Sequence, residues 1–139
     1  MQVFDHQLAD AAELALAFPN VQIILEHFGW PLDFSATGFA NWKKNIAKIA
    51  CCSNVAIKLS CFGCAFQKKI SKQFIDDYIK FVIEAFGCDR CLFGSNFPPD
   101  GLFYKLHEII AIAKQAVEHL DYEEQRNIFF CNAKRIYRI

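Results

Sequence analysis

Short apolar runs alternate with amphipathic stretches along this chain, with a period of about 30 to 35 residues. Val21 to Leu25, Val55 to Leu59 and Cys91 to Phe93 predict strands, and Gln2 to Phe4 predicts a further strand at the start. Between them the spacing changes to that of helices. Leu8, Ala11, Ala12, Ala15 and Leu16 fall on one face of a helix over Leu8 to Phe18, which Pro19 stops. Asn41 is read as the cap of a helix in which Trp42, Ile46, Ile49 and Ala50 repeat. Ser71 caps the next, whose stripe is Phe74, Ile75, Tyr78, Ile79, Val82 and Phe86 and whose stop is Gly87. A long helix is expected over Tyr104 to Leu120, a capping box at Asp121-x-x-Glu124 opens another, and Asn132 to Arg138 is helical.

Strand followed by helix, repeated, is the pattern of successive βα units on a parallel sheet, so the chain reads as an α/β protein. About four such units are too few to close a (β/α)8 barrel, and they amount to half of one. No linker or low-complexity stretch interrupts 1–139, which reads as a single domain. The strand exits carry polar groups: Glu26-His27 after the run at Val21, Ser60 after Leu59, and Gly94-Ser95-Asn96 after Phe93. Parallel strands present their exits on one face, where α/β enzymes build their sites, so these positions read as a rim.

Composition narrows the classes. A hydrophobic content of 54% against 22% charged residues gives a chain that buries a sizeable core. Fifteen basic and fifteen acidic residues leave no net charge, so no nucleic-acid partner and no membrane surface is expected. The apolar runs are far short of the roughly 20 residues of a membrane span. Met1 to His6 lacks a basic n-region and an h-region, so a cytoplasmic location is expected.

Seven cysteines, two of them adjacent as Cys51-Cys52, fit reduced thiols better than a disulfide framework. Cys61-x-x-Cys64 and Cys88-x-x-Cys91 raise a zinc ribbon as an alternative, but a long amphipathic helix lies between the pairs. Cys91 and Cys131 sit among apolar residues and have a core role open to them.

Four ordered motifs carry a resemblance over nearly the whole chain: Ala17-Phe18-Pro19-Asn20 leading to His27-Phe28-Gly29-Trp30-Pro31, Asn54-Val55-x-x-Lys58-Leu59-Ser60, Phe86-Gly87-x-Asp89-Arg90-Cys91-Leu92-Phe93-Gly94-Ser95-Asn96-Phe97-Pro98, and Asn132-Ala133-x-Arg135-Ile136-Tyr137. The chain resembles the C-terminal half of the amidohydrolase-related (amidohydrolase-2) family of TIM-barrel, metal-dependent hydrolases, which includes lactonases and some decarboxylases. The resemblance makes the strands here the fifth to the eighth of the barrel. It implies that His27 binds metal or polarises the substrate carbonyl at the end of the sixth. Asn96 then stands where most of the family has an aspartate that takes a proton from the attacking water. A carboxamide cannot accept that proton or bind a metal as an anion, and is left to position water or substrate. The family's His-x-His metal pair belongs to the first strand; the four histidines here, His6, His27, His107 and His119, are all isolated. A divalent metal such as zinc is therefore expected in a complete barrel and none on this chain alone.

Each candidate has a plainer reading beside the functional one. His27 reads as catalytic or, alternatively, as a core histidine at a strand end. Asn96 is a substrate contact or a turn residue. Lys58, Ser60, Trp30 and Ser95 are read as substrate-binding candidates, against a snorkelling lysine and core aromatics. Glu26 is read as orienting His27. Trp42, Phe62 and Phe97 are read as core more readily than as pocket walls. Asp100 is near enough to Asn96 to be a substitute carboxylate, although a helix-start acid facing the dipole is the favoured reading. The expected function is a lactonase-like hydrolase acting on a small cyclic ester or carboxylate substrate, in a partial form, and the alternative is a non-catalytic half-barrel remnant or interaction module. A two-fold homodimer is expected, because an open sheet would leave Ile23, Leu25 or their neighbours facing water.

Overall fold

The structure, a computed structural model, describes residues 1–66 and 71–139, and for 72–75 the helical backbone alone. Three strands, β1 (Ile23–Leu25), β2 (Val55–Leu59) and β3 (Cys91–Phe93), form a sheet in the order β1-β2-β3. Both pairings are parallel, with Leu25 opposite Ile57 and Leu59 opposite Phe93. The helices are α1 (Leu8–Ala17), α2 (Ala36–Ala50), α3 (Lys72–Phe86), α4 (Leu106–Ala116), α5 (Tyr122–Arg126) and α6 (Asn132–Tyr137). A π-helical turn, Asn127–Cys131, joins α5 to α6.

The fourth expected strand does not form. Met1 lies along β1, its amine donating to the Ile24 carbonyl at 2.6 Å and its carbonyl accepting from the Glu26 N–H at 2.9 Å. The chain then turns away at once, because the Gln7 side chain accepts from the Phe4 N–H at 3.0 Å and fixes a helical turn over Asp5–Gln7. Among the described residues the sheet therefore has three strands rather than four.

Local chemistry also moves two helix starts. Ser35, not Asn41, caps α2: its Oγ accepts from the Gly38 N–H at 3.0 Å, and Asn41 falls inside the helix. Glu108 accepts from the Lys105 N–H at 2.6 Å and so starts α4 at Leu106 rather than Tyr104. The box at Asp121 and Glu124 is present in both directions, at 2.9 and 3.0 Å. Helix α3 begins directly after Ser71 and buries Tyr78, Ile79, Val82 and Phe86; the side chains of Phe74 and Ile75 lie outside the described residues.

The core lies between the sheet and α1 to α4, and gathers Leu8, Leu25, Trp42, Ile46, Val55, Ile57, Leu59 and Ile109. Leu25, expected to meet water on the open side, is fully buried in this core, and Ile23 is half-buried against it. Side chains alternate across a strand, so Ala56 and Lys58 point the other way from Ile57. Ala56 and Leu92 are nonetheless buried. Arg135 and Ile136 of α6 stand beside Ala56, and the ring of Tyr137 lies 5.6 Å from the Lys58 ammonium.

Three side chains from the sequence motifs fasten the starts of the strands. Asn54 Nδ2 lies within 3.0 to 3.1 Å of the carbonyls of Ala15, Phe18 and Val21 and so ties the end of α1 to β2. Arg90 donates from Nε to Phe86 O at 3.0 Å and from one terminal nitrogen to Cys52 O and Val55 O at 3.0 and 3.2 Å. Asn132 donates to Cys88 O and Cys91 O at 2.6 and 2.8 Å. These residues close the N-terminal ends of the strands; the opposite ends are left to carry chemistry. No helix among the described residues is long and apolar enough to cross a membrane.

Candidate functional site

Each strand runs into left-handed backbone. His27, Phe28, Gly29 and Trp30 after β1 have φ of 57, 57, 66 and 41°, Cys61 after β2 has 68°, and Asn96 after β3 has 51°. Such values cost a non-glycine residue roughly 1–3 kcal/mol and persist only where surrounding structure enforces them. Here it does. Trp42 Nε1 donates to the Phe28 carbonyl at 2.8 Å, and the Phe28 ring is buried edge-on against Phe62 with centroids 5.7 Å apart. Gly29 presses on α1, where an added Cβ would lie 3.0 Å from Leu8. The turn that presents His27 is therefore set by core packing.

His27 Nδ1 and Ser60 Oγ are 2.8 Å apart, which joins the exits of β1 and β2 directly. Ser60 is buried, and the edge of the Trp30 indole closes on the imidazole with centroids 5.4 Å apart. Burial pushes the His27 pKa below its ordinary value; Glu26 opposes this and Lys58 adds to it. Burial thus favours the neutral form of the imidazole. Lys58 Nζ bonds Glu26 Oε1 at 2.9 Å, both side chains being about a fifth exposed. Burial lowers the ammonium's pKa, but hydrogen bonds to Glu26 and Tyr137 outweigh it and hold Lys58 above its ordinary value. Lys58 thus stays charged and Glu26 is engaged with it rather than with His27. Gly94 gives this pair its room: a Cβ there would stand 3.1 Å from Lys58 Cδ and 3.3 Å from Ser60 Cβ.

At the third exit, Asn96 Nδ2 donates to Asp100 Oδ1 at 3.3 Å, and the same oxygen accepts from the Cys64 N–H at 2.9 Å. Asp100 stands in the first turn of the 3-10 helix Pro99–Leu102, the helix-start position expected of it, and that turn also folds it inward under Asn96, where it is fully buried. The sequence held one sign of this: Asp100 lies four residues from Asn96, the spacing of one helical turn. Ser95 Oγ accepts from the Phe97 N–H at 3.3 Å and shapes the loop. Trp42 and Phe62 are core residues, Trp30 is half-buried beside His27, and Phe97 is exposed. The contact of Tyr137 with Lys58 joins positions so far apart in sequence that no local pattern signals it.

The two Cys-x-x-Cys pairs do not share a site. Cys61 and Cys64 follow the exit of β2, whereas Cys88 and Cys91 stand at the start of β3, with Cys91 buried and Cys88 Sγ 3.6 Å from Glu124 Oε1. That separation removes the ribbon reading. All seven thiols are free.

The amidohydrolase (amidohydrolase-2) family model matches residues 1–139. This chain belongs to the amidohydrolase family. The Sinorhizobium fredii protein y4mH, itself uncharacterized, is 36% identical over 139 residues, all of this chain and 46% of that protein. A crystal structure of a zinc-bound amidohydrolase from Burkholderia multivorans superimposes with a TM-score of 0.93 at 23% identity over 100% of this chain and 51% of that one. A Pseudomonas putida structure, named as a proposed 2-pyrone-4,6-dicarboxylic acid hydrolase, gives 0.72 at 15% identity over 94% and 49%. The chain spans about half the length of the relatives it matches, and its parallel βα units are half of the family's TIM barrel.

The family implies a divalent metal, and the three exits test that implication. Nδ1 of His27 is committed to Ser60, and Asn96 meets its neighbour through an amide nitrogen, which cannot ligate. One imidazole and a carboxamide do not make the three-ligand set of a catalytic zinc. His27 and Asn96 therefore do not by themselves form the family's metal centre.

Proposed function

We propose that this chain forms the C-terminal half of a hydrolase site for a small cyclic ester or related carboxylate. The observation that carries this reading is the 2.8 Å contact between His27 Nδ1 and Ser60 Oγ at adjacent strand exits. With Nδ1 fixed, the neutral ring presents Nε2 to a substrate carbonyl, and the enforced turn spares the reorganisation that a mobile histidine would need. Lys58 supplies a retained positive charge for a substrate carboxylate, Trp30 walls the imidazole, and Ser95 shapes the loop beside Asn96. Asn96 positions water or substrate and does not act as base. Family membership and the name of the Pseudomonas putida relative support a lactone-like substrate.

Calorimetric titration of the purified chain with small lactone carboxylates, alongside a pH-stat assay of ring opening, tests the proposal. Weak binding that disappears in His27→Gln, with turnover that added zinc does not raise, is the expected result. Binding absent from the parent chain, or unchanged in His27→Gln, would overturn it. That result would favour the second reading, a half-barrel that keeps the fold as an interaction module, which the lack of a free carboxylate at position 96 also favours.

A further inference from the structure

We infer that Cys61, Cys64 and Asp100 form a binding site for a zinc-class divalent cation, which uses neither His27 nor Ser60 and adjoins the proposed hydrolase site through Asn96. The two sulfur atoms and one carboxylate oxygen lie within 4.8 Å of one another. Zinc bonds of about 2.3 Å to sulfur and 2.0 Å to oxygen at tetrahedral angles put the ligand atoms roughly 3.5 to 3.8 Å apart. A small inward turn of the side chains closes that gap.

The local structure is built for such a set. Cys61 takes the left-handed conformation at φ 68°, so the chain doubles back and the Ala65 N–H returns to the Cys61 carbonyl at 3.2 Å, bringing both thiols to one side. Asp100 arrives from the loop after β3 and is fully buried. Its Oδ1 is held by the Cys64 N–H and the Asn96 amide, while the buried Oδ2 meets no N–H or O–H donor among the described residues, and the Cys64 thiol is the weak donor nearest the carboxylate. A buried carboxylate with only a weak thiol donor for one oxygen is costly, and a cation that displaces the thiol protons would resolve it. Ligating carboxylates are themselves hydrogen-bonded, which gives Asn96 a role as the residue that orients Asp100. Two thiolates select a borderline-soft ion over magnesium or calcium, and three protein ligands leave a fourth position open. Burial and the Asp100 carboxylate raise the Cys64 thiol to about 11, so both cysteines are protonated without metal. Loading must then release about two protons.

Cobalt(II) titration of the full chain under reducing conditions reads the site directly. A thiolate-to-cobalt charge-transfer band saturating at one ion per chain, displaced by zinc and unaffected by magnesium, is the expected result. The band should halve in Cys61→Ser or Cys64→Ser, vanish in the double variant, and persist in Cys88→Ser. Asp100→Asn should weaken cobalt at least tenfold. If a cysteine variant fails to fold, alkylation of the parent chain mapped by mass spectrometry decides instead: zinc should protect Cys61 and Cys64 and leave Cys88 unprotected. Absence of the band, its survival in the double variant, or alkylation of Cys61 and Cys64 unchanged by zinc would overturn the site. None of these readouts depends on hydrolysis.

Discussion

The Asn96 carboxamide donates to the buried Asp100 carboxylate at 3.3 Å, one helical turn ahead in the chain. The position where most relatives were expected to hold a carboxylate thus carries the amide, and the carboxylate stands behind it. Asn96→Asp would set two carboxylates against each other. One would have to stay protonated. The substitution is expected to destabilise the chain by about 1–3 kcal/mol at neutral pH, more as pH rises, and not to restore hydrolysis. Urea denaturation at two pH values checks this, and Asn96→Asp combined with Asp100→Asn should recover most of the loss.

The histidine gives a second pH signature of opposite sense. Its folded pKa lies below the ordinary value because of burial, so between the two values the unfolded chain binds a proton that the folded chain refuses. Stability therefore falls as pH drops below about 6.5 and stops falling beneath the folded pKa. The difference in urea midpoint between pH 7.5 and pH 5 should be smaller in His27→Gln than in the parent chain. Equal differences would mean that burial of the imidazole is not felt.

Gly63 tests the loop that places the two thiols. A Cβ on it would stand 2.6 Å from Phe103 Cβ, a distance that forces the loop after β2 or the segment before α4 to move. Gly63→Ala is expected to lower stability by about 1–3 kcal/mol, with the thermal midpoint as readout. An unchanged midpoint would show that the two segments yield to the added methyl without loss.

What the sequence revealed depended on how local the cause was. The runs at β2 and β3 are legible to the residue, since each is apolar and flanked by breakers. Gln2 to Phe4 looks like a strand by the same criterion and is not one, because the Gln7 side chain competes for its backbone. Ser35 and Asn41 are both good caps, and only the backbone decides for Ser35. Polar residues at strand exits were legible as a rim, but the meeting of His27 with Ser60 is a fact of register between β1 and β2. The inward turn of Asp100 follows from tertiary packing, and a buried acid and a solvated one are spelled alike.

The fastening of the strand starts has a thermodynamic consequence. Asn132 grips Cys88 and Cys91 at one end of the sheet, while Ser60 meets His27 at the other, roughly 13 Å away along a five-residue strand. Asn132→Ala should cost about 2–3 kcal/mol and Ser60→Ala about 1–2, because each strands buried polar groups. Combined, they should sum to within about 0.5 kcal/mol, as sites without shared partners do. A double-mutant cycle that closes this way would mean that the exits can be rewritten for new substrates while the losses incurred there are recovered independently at the opposite end of the same strands.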